Sequence, residues 1–363
     1  MAVIESVRWS PGAPAVRIID QTQLPDRFIE RDLESLDDVC TAIATLAVRG
    51  APAIGVAGAM GLVVSVLPHA LDTRDRFDAR MQSHAERIRA TRPTAVNLSH
   101  ALDRLLARAR GTSGSPSDVI AAMRDEATLL LEEDRSMCRR IGEHGVTLIP
   151  DGATVLTHCN AGALATTGIG TALAPIYRSH ELGRRVHVYV DETRPLLQGS
   201  RLTAWELTRA GIPCTVIADS AAAGFMRAGR IDLCFVGADR IAANGDVANK
   251  IGTYAIALAA QHHGIPFYVA APSSTLDPAV PNGDVIPIER RSREELARLR
   301  DVRLTPDAAG VDNPAFDVTP AEMVTSIVTD RGVFSRPYRF RELDTTRARQ
   351  ARPRSSVFDP ATP

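Results

Sequence analysis

Apolar residues recur along this chain with two different periods, and the change falls near residue 147. Before it the spacing is helical. Ser35, followed by Asp37 and Asp38, marks a helix start, and Val39, Ile43 and Leu46 continue at helical spacing. That helix stops at Arg49-Gly50-Ala51-Pro52, where Gly ends one helix and Pro opens the next. Further helices are predicted over residues 74–90, 94–110 and 116–144, with a Gly/Ser/Pro loop at 111–117. Two short runs, 5–9 and 16–20, flank Ser-Pro-Gly-Ala-Pro and read as a β hairpin.

After residue 150 the texture becomes strand, helix, strand. Apolar runs at 153–157, 186–190, 214–218, 232–236 and 266–270, with a weaker one at 285–288, alternate with helical patterns at 200–210, 221–228 and 249–263. Such alternation argues an α/β fold with a doubly wound parallel sheet. The expected division is a mostly helical domain with a β hairpin (1–146), an α/β domain (147–340) and an Arg-rich, flexible tail (341–363).

One stretch could mislead. Residues 51–67 are uncharged and mostly apolar, close to the length of a membrane span. Pro52 and Pro68 bound it, Arg49 precedes it, and Gly55, Gly58 and Gly61 recur every third residue. Small residues at that spacing let another helix approach closely, so a buried helix is expected and no membrane partner.

Composition narrows the class. Hydrophobic residues at 45% and charged residues at 23% fit a soluble globular protein. A net charge of -1 supplies no electrostatic case for nucleic acid, and 4% aromatics leave little for base stacking. The five cysteines (Cys40, Cys138, Cys159, Cys214, Cys234) are widely spaced with no C-x-x-C. That pattern points to reduced thiols in the cytoplasm and against a metal site. The amino terminus carries Glu5 and Arg8 without an apolar signal core, so no export signal is expected.

The candidate chemistry lies at strand ends. Residues 155–170, VLTHCNAGALATTGIG, run from a strand into a Gly-bearing turn, with a helix expected from about Leu173. Ligands collect where a parallel strand ends and a helix begins, and a thiol there is acidified. Cys159, with His158 and Asn160 beside it, is the candidate; a small buried hydrophobe is the ordinary alternative. Later strand ends deliver Asp191-Glu192-Thr193-Arg194 with Gln198, then Asp219-Ser220, then Gly237-Ala238-Asp239-Arg240. Asn249-Lys250, at an expected helix start, suit a phosphate. Each Asp alone also fits a helix cap, and Lys250 a solvated side chain. No G-x-G-x-x-G, Walker loop or H-E-x-x-H occurs, which weakens a dinucleotide reading. The residues alone reach a cytosolic α/β enzyme for a small phosphorylated substrate, moving protons with a thiol and a carboxylate.

Seven segments then carry a resemblance: RGAPAIGVAGAMG (49–61), RPTAVNL (92–98), THCNAGALAT (157–166), DETRPLLQGSRLTAWEL (191–207), VGADRIAANGDVANKIGTYAIALAA (236–260), GIPFYVAAP (264–272) and NPAFDVTPAEMVT (313–325). They resemble the 5-methylthioribose-1-phosphate isomerase family, whose wider kin include regulatory subunits of a translation initiation exchange factor. The resemblance implies a helical domain before a Rossmann-like domain, a homodimer, no cofactor, and an aldose–ketose isomerase of methionine salvage. It implies Cys159 as catalytic thiol and Asp239 as proton donor. It further implies Arg49, Gly50, Ala51, Arg92, Gln198, Asn249 and Lys250 as substrate-binding positions for a phosphorylated pentose.

Two departures bear on the substrate. The family usually has Asn where this chain has Ser220, and an aromatic-Trp pair where it has Ser99-His100. The second pair follows Arg92 and could touch the 5-substituent, or be a harmless core replacement. A 5-deoxyribose or other 5-substituted ribose 1-phosphate therefore stays open, as does a non-catalytic regulatory module.

Overall fold

The structure is a computed structural model, and it describes residues 4–93, 95–338 and 340. The expectation for the tail at 341–363 lies outside the described residues. The chain begins with a three-stranded antiparallel sheet, β1 (Val7–Trp9), β2 (Val16–Ile19) and β3 (Glu30–Leu33). The hairpin was expected; β3 was not, because its ERDL segment carries only one apolar residue on the buried side. Arg17 on β2 pairs with Asp32 on β3 at 2.6 Å, so cross-strand charge completes the sheet.

Five helices follow: α1 (Leu36–Ala44), α2 (Ala51–Val66), α3 (Arg74–Ala90), α4 (Val96–Arg110) and α5 (Pro116–Gly145). Ser35 and Asp38 form a capping box on α1, as do Ser115 and Asp118 on α5. Helix α2 is apolar on every side, and it is buried from Ala53 to Val66. Its glycines explain how. A Cβ on Gly55 would meet Asn97, one on Gly58 would meet Leu98, and one on Gly61 would meet Val39. Small residues at three-residue spacing thus admit α4 and α1 against α2. By length and composition α2 and the following turn could cross a membrane, but the helix is the core of this layer.

The α/β half is built on β4 (Ala153–Thr157), α6 (Ala174–Glu181), β5 (Val186–Asp191), α7 (Ala204–Arg209), β6 (Cys214–Ile217), α8 (Ala222–Arg227) and β7 (Leu233–Val236). Next come β8 (Arg240–Ala242), β9 (Val247–Lys250), α9 (Thr253–His262), β10 (Phe267–Ala270) and β11 (Leu276–Asp277). The chain continues through α10 (Arg293–Ala297), β12 (Arg298–Leu299), β13 (Val302–Arg303), β14 (Phe316–Thr319), β15 (Ser326–Thr329) and β16 (Gly332–Ser335).

The main sheet runs β16-β15-β10-β7-β4-β5-β6, parallel throughout except at the β16 edge. From β4 the chain first winds through β5 to β6, then returns to β7 on the opposite side. The crevice between β4 and β7 is therefore the point where winding direction reverses, the place where open α/β sheets hold ligands. Cys159 follows β4 and Asp239 follows β7.

Three expectations fail here, and one sheet was not foreseen. The first helix does not run to Arg49: α1 ends at Ala44, and a turn over residues 45–48 leads into α2. Residues 285–288 form no strand: a tight turn over Gly283–Val285 leads to Pro287, which has no N–H to donate to a ladder. Residues 249–252 are not helical, because Asn249 and Lys250 end strand β9, paired with β14, and α9 starts only at Thr253. Finally, β8, β9, β11 and β14 form a second sheet that the apolar pattern did not announce.

Candidate functional site

A cavity of about 500 Å³ opens where the helical layer meets the carboxyl ends of β4 and β7. Cys159, Asp239, Gln198, Asn249 and Lys250 line it from the sheet side. Arg49, Gly50, Ala51 and Arg92 line it from the helical side. All nine residues singled out in the sequence thus meet in one place.

Cys159 sits in a turn that side chains rarely adopt, with φ of 63°. The helix expected from about Leu173 is present, though it does not follow the thiol directly. A tight turn at Ala163–Ala165 comes first, and α6 begins at Ala174. The turn is instead held by neighbours. Its N–H donates to Thr193 Oγ1 at 2.8 Å, and its carbonyl accepts from Thr203 Oγ1 at 2.6 Å. The thiol Sγ lies 3.4 Å from Gln198 Oε1, the acceptor it faces. Thr193 and Leu197 also have positive φ, so unusual backbone clusters around the thiol.

Asp239 lies in the loop between β7 and β8, its N–H on the Ala248 carbonyl at 2.9 Å. Its side chain is open to the cavity while the surrounding protein is deep. Enclosure by low-polarity protein pushes its carboxyl above the usual carboxylate range, against the opposing pull of Lys250, Arg49 and Arg92. A carboxyl held toward its acid form is suited to giving a proton.

Asn249 Nδ2 donates to Thr253 Oγ1 at 3.0 Å, and Lys250 Nζ donates to the Ala315 carbonyl at 3.1 Å. Lys250 also lies 4.9 Å from the centre of the Phe316 ring. Both residues therefore reach the cavity from a rigid β ladder rather than from a helix end.

From the other side, Gly50 has φ of 89° and its Cα lies where any Cβ would strike the Ala165 backbone. This close approach presses the Arg49 turn onto the 160–170 loop. Arg49, itself buried, donates from Nη1 to Asn160 Oδ1 at 2.8 Å and from Nη2 to the Asn160 carbonyl at 2.6 Å. Arg92 approaches Glu289 at 3.8 Å, and Arg291 holds the same carboxylate at 3.0 Å.

Behind the thiol lies a buried pair. His158 Nδ1 is 3.0 Å from Asp191 Oδ2, and His158 Nε2 is 2.9 Å from the Ile251 carbonyl. A carbonyl only accepts, so Nε2 carries a proton, and one further proton is shared between imidazole and carboxyl. Gly252, with φ of 104°, leaves room for the ring. His158, Asp191 and Asp219 are the one grouping with metal-ligand chemistry among the described residues. Its atoms are largely engaged: Asp219 accepts the Thr193 and Arg194 N–H groups at 2.7 Å each, leaving Asp191 Oδ1 without a protein partner.

Sequence reading did not assign roles to His158, Asn160 or Glu289, although the first two were visible as polar company for Cys159. Glu289 lies beside the failed strand at 285–288 and gave no signal. Ser220 and His100 are both exposed and neither lines the cavity, so His100 is not a core replacement either.

Comparison with known proteins places the chain in a family. Residues 47–336 match the model of the initiation factor 2 subunit family. A methylthioribose-1-phosphate isomerase from Gemmatimonas aurantiaca is 53% identical over 92% of this chain and 95% of its own. The crystal structure of 5-methylthioribose 1-phosphate isomerase from Pyrococcus horikoshii OT3 superposes with a TM-score of 0.89. It is 40% identical and covers 96% of this chain and 97% of its own. A structure described as translation initiation factor eIF-2B, subunit delta, from A. fulgidus has a TM-score of 0.85 and 42% identity, covering 92% and 97%. A cavity at the sheet's reversal point, sequence identity of about half, and near-complete coverage agree: the chain belongs to the initiation factor 2 subunit family, in its methylthioribose-1-phosphate isomerase branch.

Proposed function

We propose that this chain is an aldose–ketose isomerase converting 5-methylthioribose 1-phosphate to 5-methylthioribulose 1-phosphate. The observation that carries it is the shared cavity: a thiol, a carboxyl pushed toward its acid form, and the cations Arg49, Arg92 and Lys250 all face one space. A phosphorylated sugar needs the cations, and moving hydrogen between adjacent carbons needs the other two groups.

In a sugar 1-phosphate the anomeric oxygen is blocked, so the ring does not open as in a free aldose. Asp239 gives its proton to the ring oxygen as the bond from that oxygen to C1 breaks. Cys159, as thiolate, takes the proton from C2, and a C1–C2 double bond forms. The C2 hydroxyl then loses its proton, which restores Asp239, while Cys159 returns its proton to C1. The product is the 1-phosphoketose, and no atom is gained or lost. Gln198, Asn249, Lys250, Arg49, Arg92 and the turn at Gly50-Ala51 hold sugar and phosphate. A direct hydride shift from C2 to C1 is the competing route, with Cys159 then shaping the site. Substrate deuterated at C2 distinguishes them, since complete retention of label at C1 counts strongly against the thiolate route.

The same reading takes residues 1–146 as one domain and 147–340 as a second, Rossmann-like domain. It takes the protein as a cytoplasmic homodimer in methionine biosynthesis, with no nucleic acid or membrane partner and no cofactor. The name carried by the A. fulgidus relative keeps a regulatory module as the second reading.

Initial rates on 5-methylthioribose 1-phosphate and 5-deoxyribose 1-phosphate, side by side, test it. Ketose formation that disappears in Cys159→Ser supports the isomerase, and the ratio of kcat/KM values identifies the 5-substituent. No turnover of either sugar by the folded protein rejects it in favour of the regulatory module.

A further inference from the structure

Glu206 is fully buried on α7, yet no step above uses it. Every group around its carboxyl is a donor. Asn160 Nδ2 donates to Oε1, the Ala163 N–H to Oε2 at 2.7 Å, and the Tyr177 hydroxyl to Oε2 at 3.0 Å. Gly162 leaves room for this carboxyl, because a Cβ there would overlap it. An ionised carboxyl can accept from all three at once.

The consequence reaches the cavity through an amide. Asn160 has an oxygen end and a nitrogen end, and the surroundings decide which way it points. Thr203 donates its hydroxyl proton to the Cys159 carbonyl, so its oxygen can only accept from Asn160 Nδ2, at 3.1 Å. Glu206 accepts from the same nitrogen. Both acceptors lie on one side, so Oδ1 must face the other way, where Arg49 Nη1 meets it at 2.8 Å. Were the amide reversed, its NH₂ would face the guanidinium, donor against donor.

We propose that Glu206 is a positioning residue for Arg49: through Asn160 it sets the one amide orientation that holds the guanidinium in the binding cavity. When ionised, Glu206 also places a negative charge across the amide from Arg49. Because this rests on the sugar-phosphate reading, the experiment must separate the two.

The test measures KM and kcat for 5-methylthioribose 1-phosphate in Glu206→Gln, in Tyr177→Phe and in the wild type, with melting curves for each. Gln keeps the shape but offers a donor to a cluster of donors. We expect Glu206→Gln to raise KM about tenfold or more with kcat within about threefold, as lost binding rather than lost chemistry. Tyr177→Phe removes a bond to Glu206 but leaves Asn160 oriented, so it should lower the melting temperature and leave KM alone. In an Arg49→Ala background, adding Glu206→Gln should change KM by less than about twofold. An unchanged KM in folded Glu206→Gln overturns the proposal, as does an equal effect from Tyr177→Phe or full additivity with Arg49→Ala. If Glu206→Gln does not fold, Asn160→Ala carries the same KM test, and an unchanged KM there overturns it equally. Wild-type protein that turns over nothing rejects the functional reading instead.

Discussion

Arg49 holds Asn160 twice, through Oδ1 at 2.8 Å and through its backbone carbonyl at 2.6 Å. One residue lies in the turn between α1 and α2, and the other follows β4 of the main sheet. The fork between them is thus a joint between layers as well as a wall of the cavity. A guanidinium carries more N–H groups than these two bonds use, so Arg49 can be held and still offer donors to a ligand.

That geometry makes Arg49→Lys a severe change despite the kept charge. An ammonium is a point donor and cannot span both acceptors of Asn160 while reaching a phosphate. Losing a charged hydrogen bond is worth roughly 1.5–3 kcal/mol, so kcat/KM should fall roughly 10- to 100-fold. Steady-state rates check this, and near-normal KM in the variant would show that the fork is only a joint.

For Asp239, the expected effects are on rate and on its pH dependence. Asp239→Asn should lower kcat by about 10²-fold or more with the fold intact. A proton donor works in its acid form, so activity should fall as pH rises through the carboxyl's pKa. Enclosure by the surrounding protein moves that fall to higher pH than an ordinary Asp would give. The limb should vanish from the residual activity of Asp239→Asn, and its persistence there would assign it to another group.

How much of this was legible differs by element. Strands β4, β5, β7 and β10 are buried on both faces, so each reads as a continuous apolar run. Strands β9 and β14 carry Asn249, Lys250 and Asp317, which serve the cavity and the start of α9, so their periodicity was broken by function. Asp317 caps that region from a strand 65 residues away in sequence, a relation no local pattern contains. Among site residues, Cys159 and Asp239 stood out because they follow apolar strands. Glu206 did not, since a Glu within AWEL looks like the wet side of a helix. The 160–163 loop and Tyr177 of α6, folding over α7, bury it.

Gly50→Ala tests the close approach that seats the Arg49 turn. The added Cβ would fall on the Ala165 backbone, and φ at this position is 89°. A left-handed backbone alone costs an L residue roughly 1–2 kcal/mol, and backbone cannot step aside as a side chain can. The variant should melt several degrees lower and lose kcat/KM together, because the Arg49 fork moves with the turn. A variant with wild-type melting temperature and KM would mean the turn is not seated this way.

His100→Trp makes the opposite kind of prediction. The departure from the family pattern at this position invited a role in substrate choice, yet His100 is exposed and outside the cavity lining. Surface substitutions away from special features usually stay within about 0.5 kcal/mol, so kcat/KM on either 5-substituted sugar should change by less than about threefold. A switch in the preferred sugar would place the side chain in the path of the 5-substituent.

Glu206 also gives the protein a pH signature in stability, whatever its part in binding. Burial pushes its carboxyl up to about 7 from an ordinary 4.5, only partly opposed by Asn160, Tyr177, Ala163 and Arg49. The folded state therefore holds a proton between those values that the unfolded chain has released. By linkage, stability is lost wherever the folded state binds more protons and pH rises. The contribution is fully present below about 4.5 and gone above about 7. Gln cannot titrate, so Glu206→Gln should flatten this part of the melting-temperature profile between pH 5 and pH 8. The comparison must be between variants, because the His158–Asp191 pair, both of whose pKa values are raised, adds its own pH dependence to each. Parallel profiles in wild type and variant would mean that Glu206 stays ionised throughout, and that the donors around it outweigh its burial.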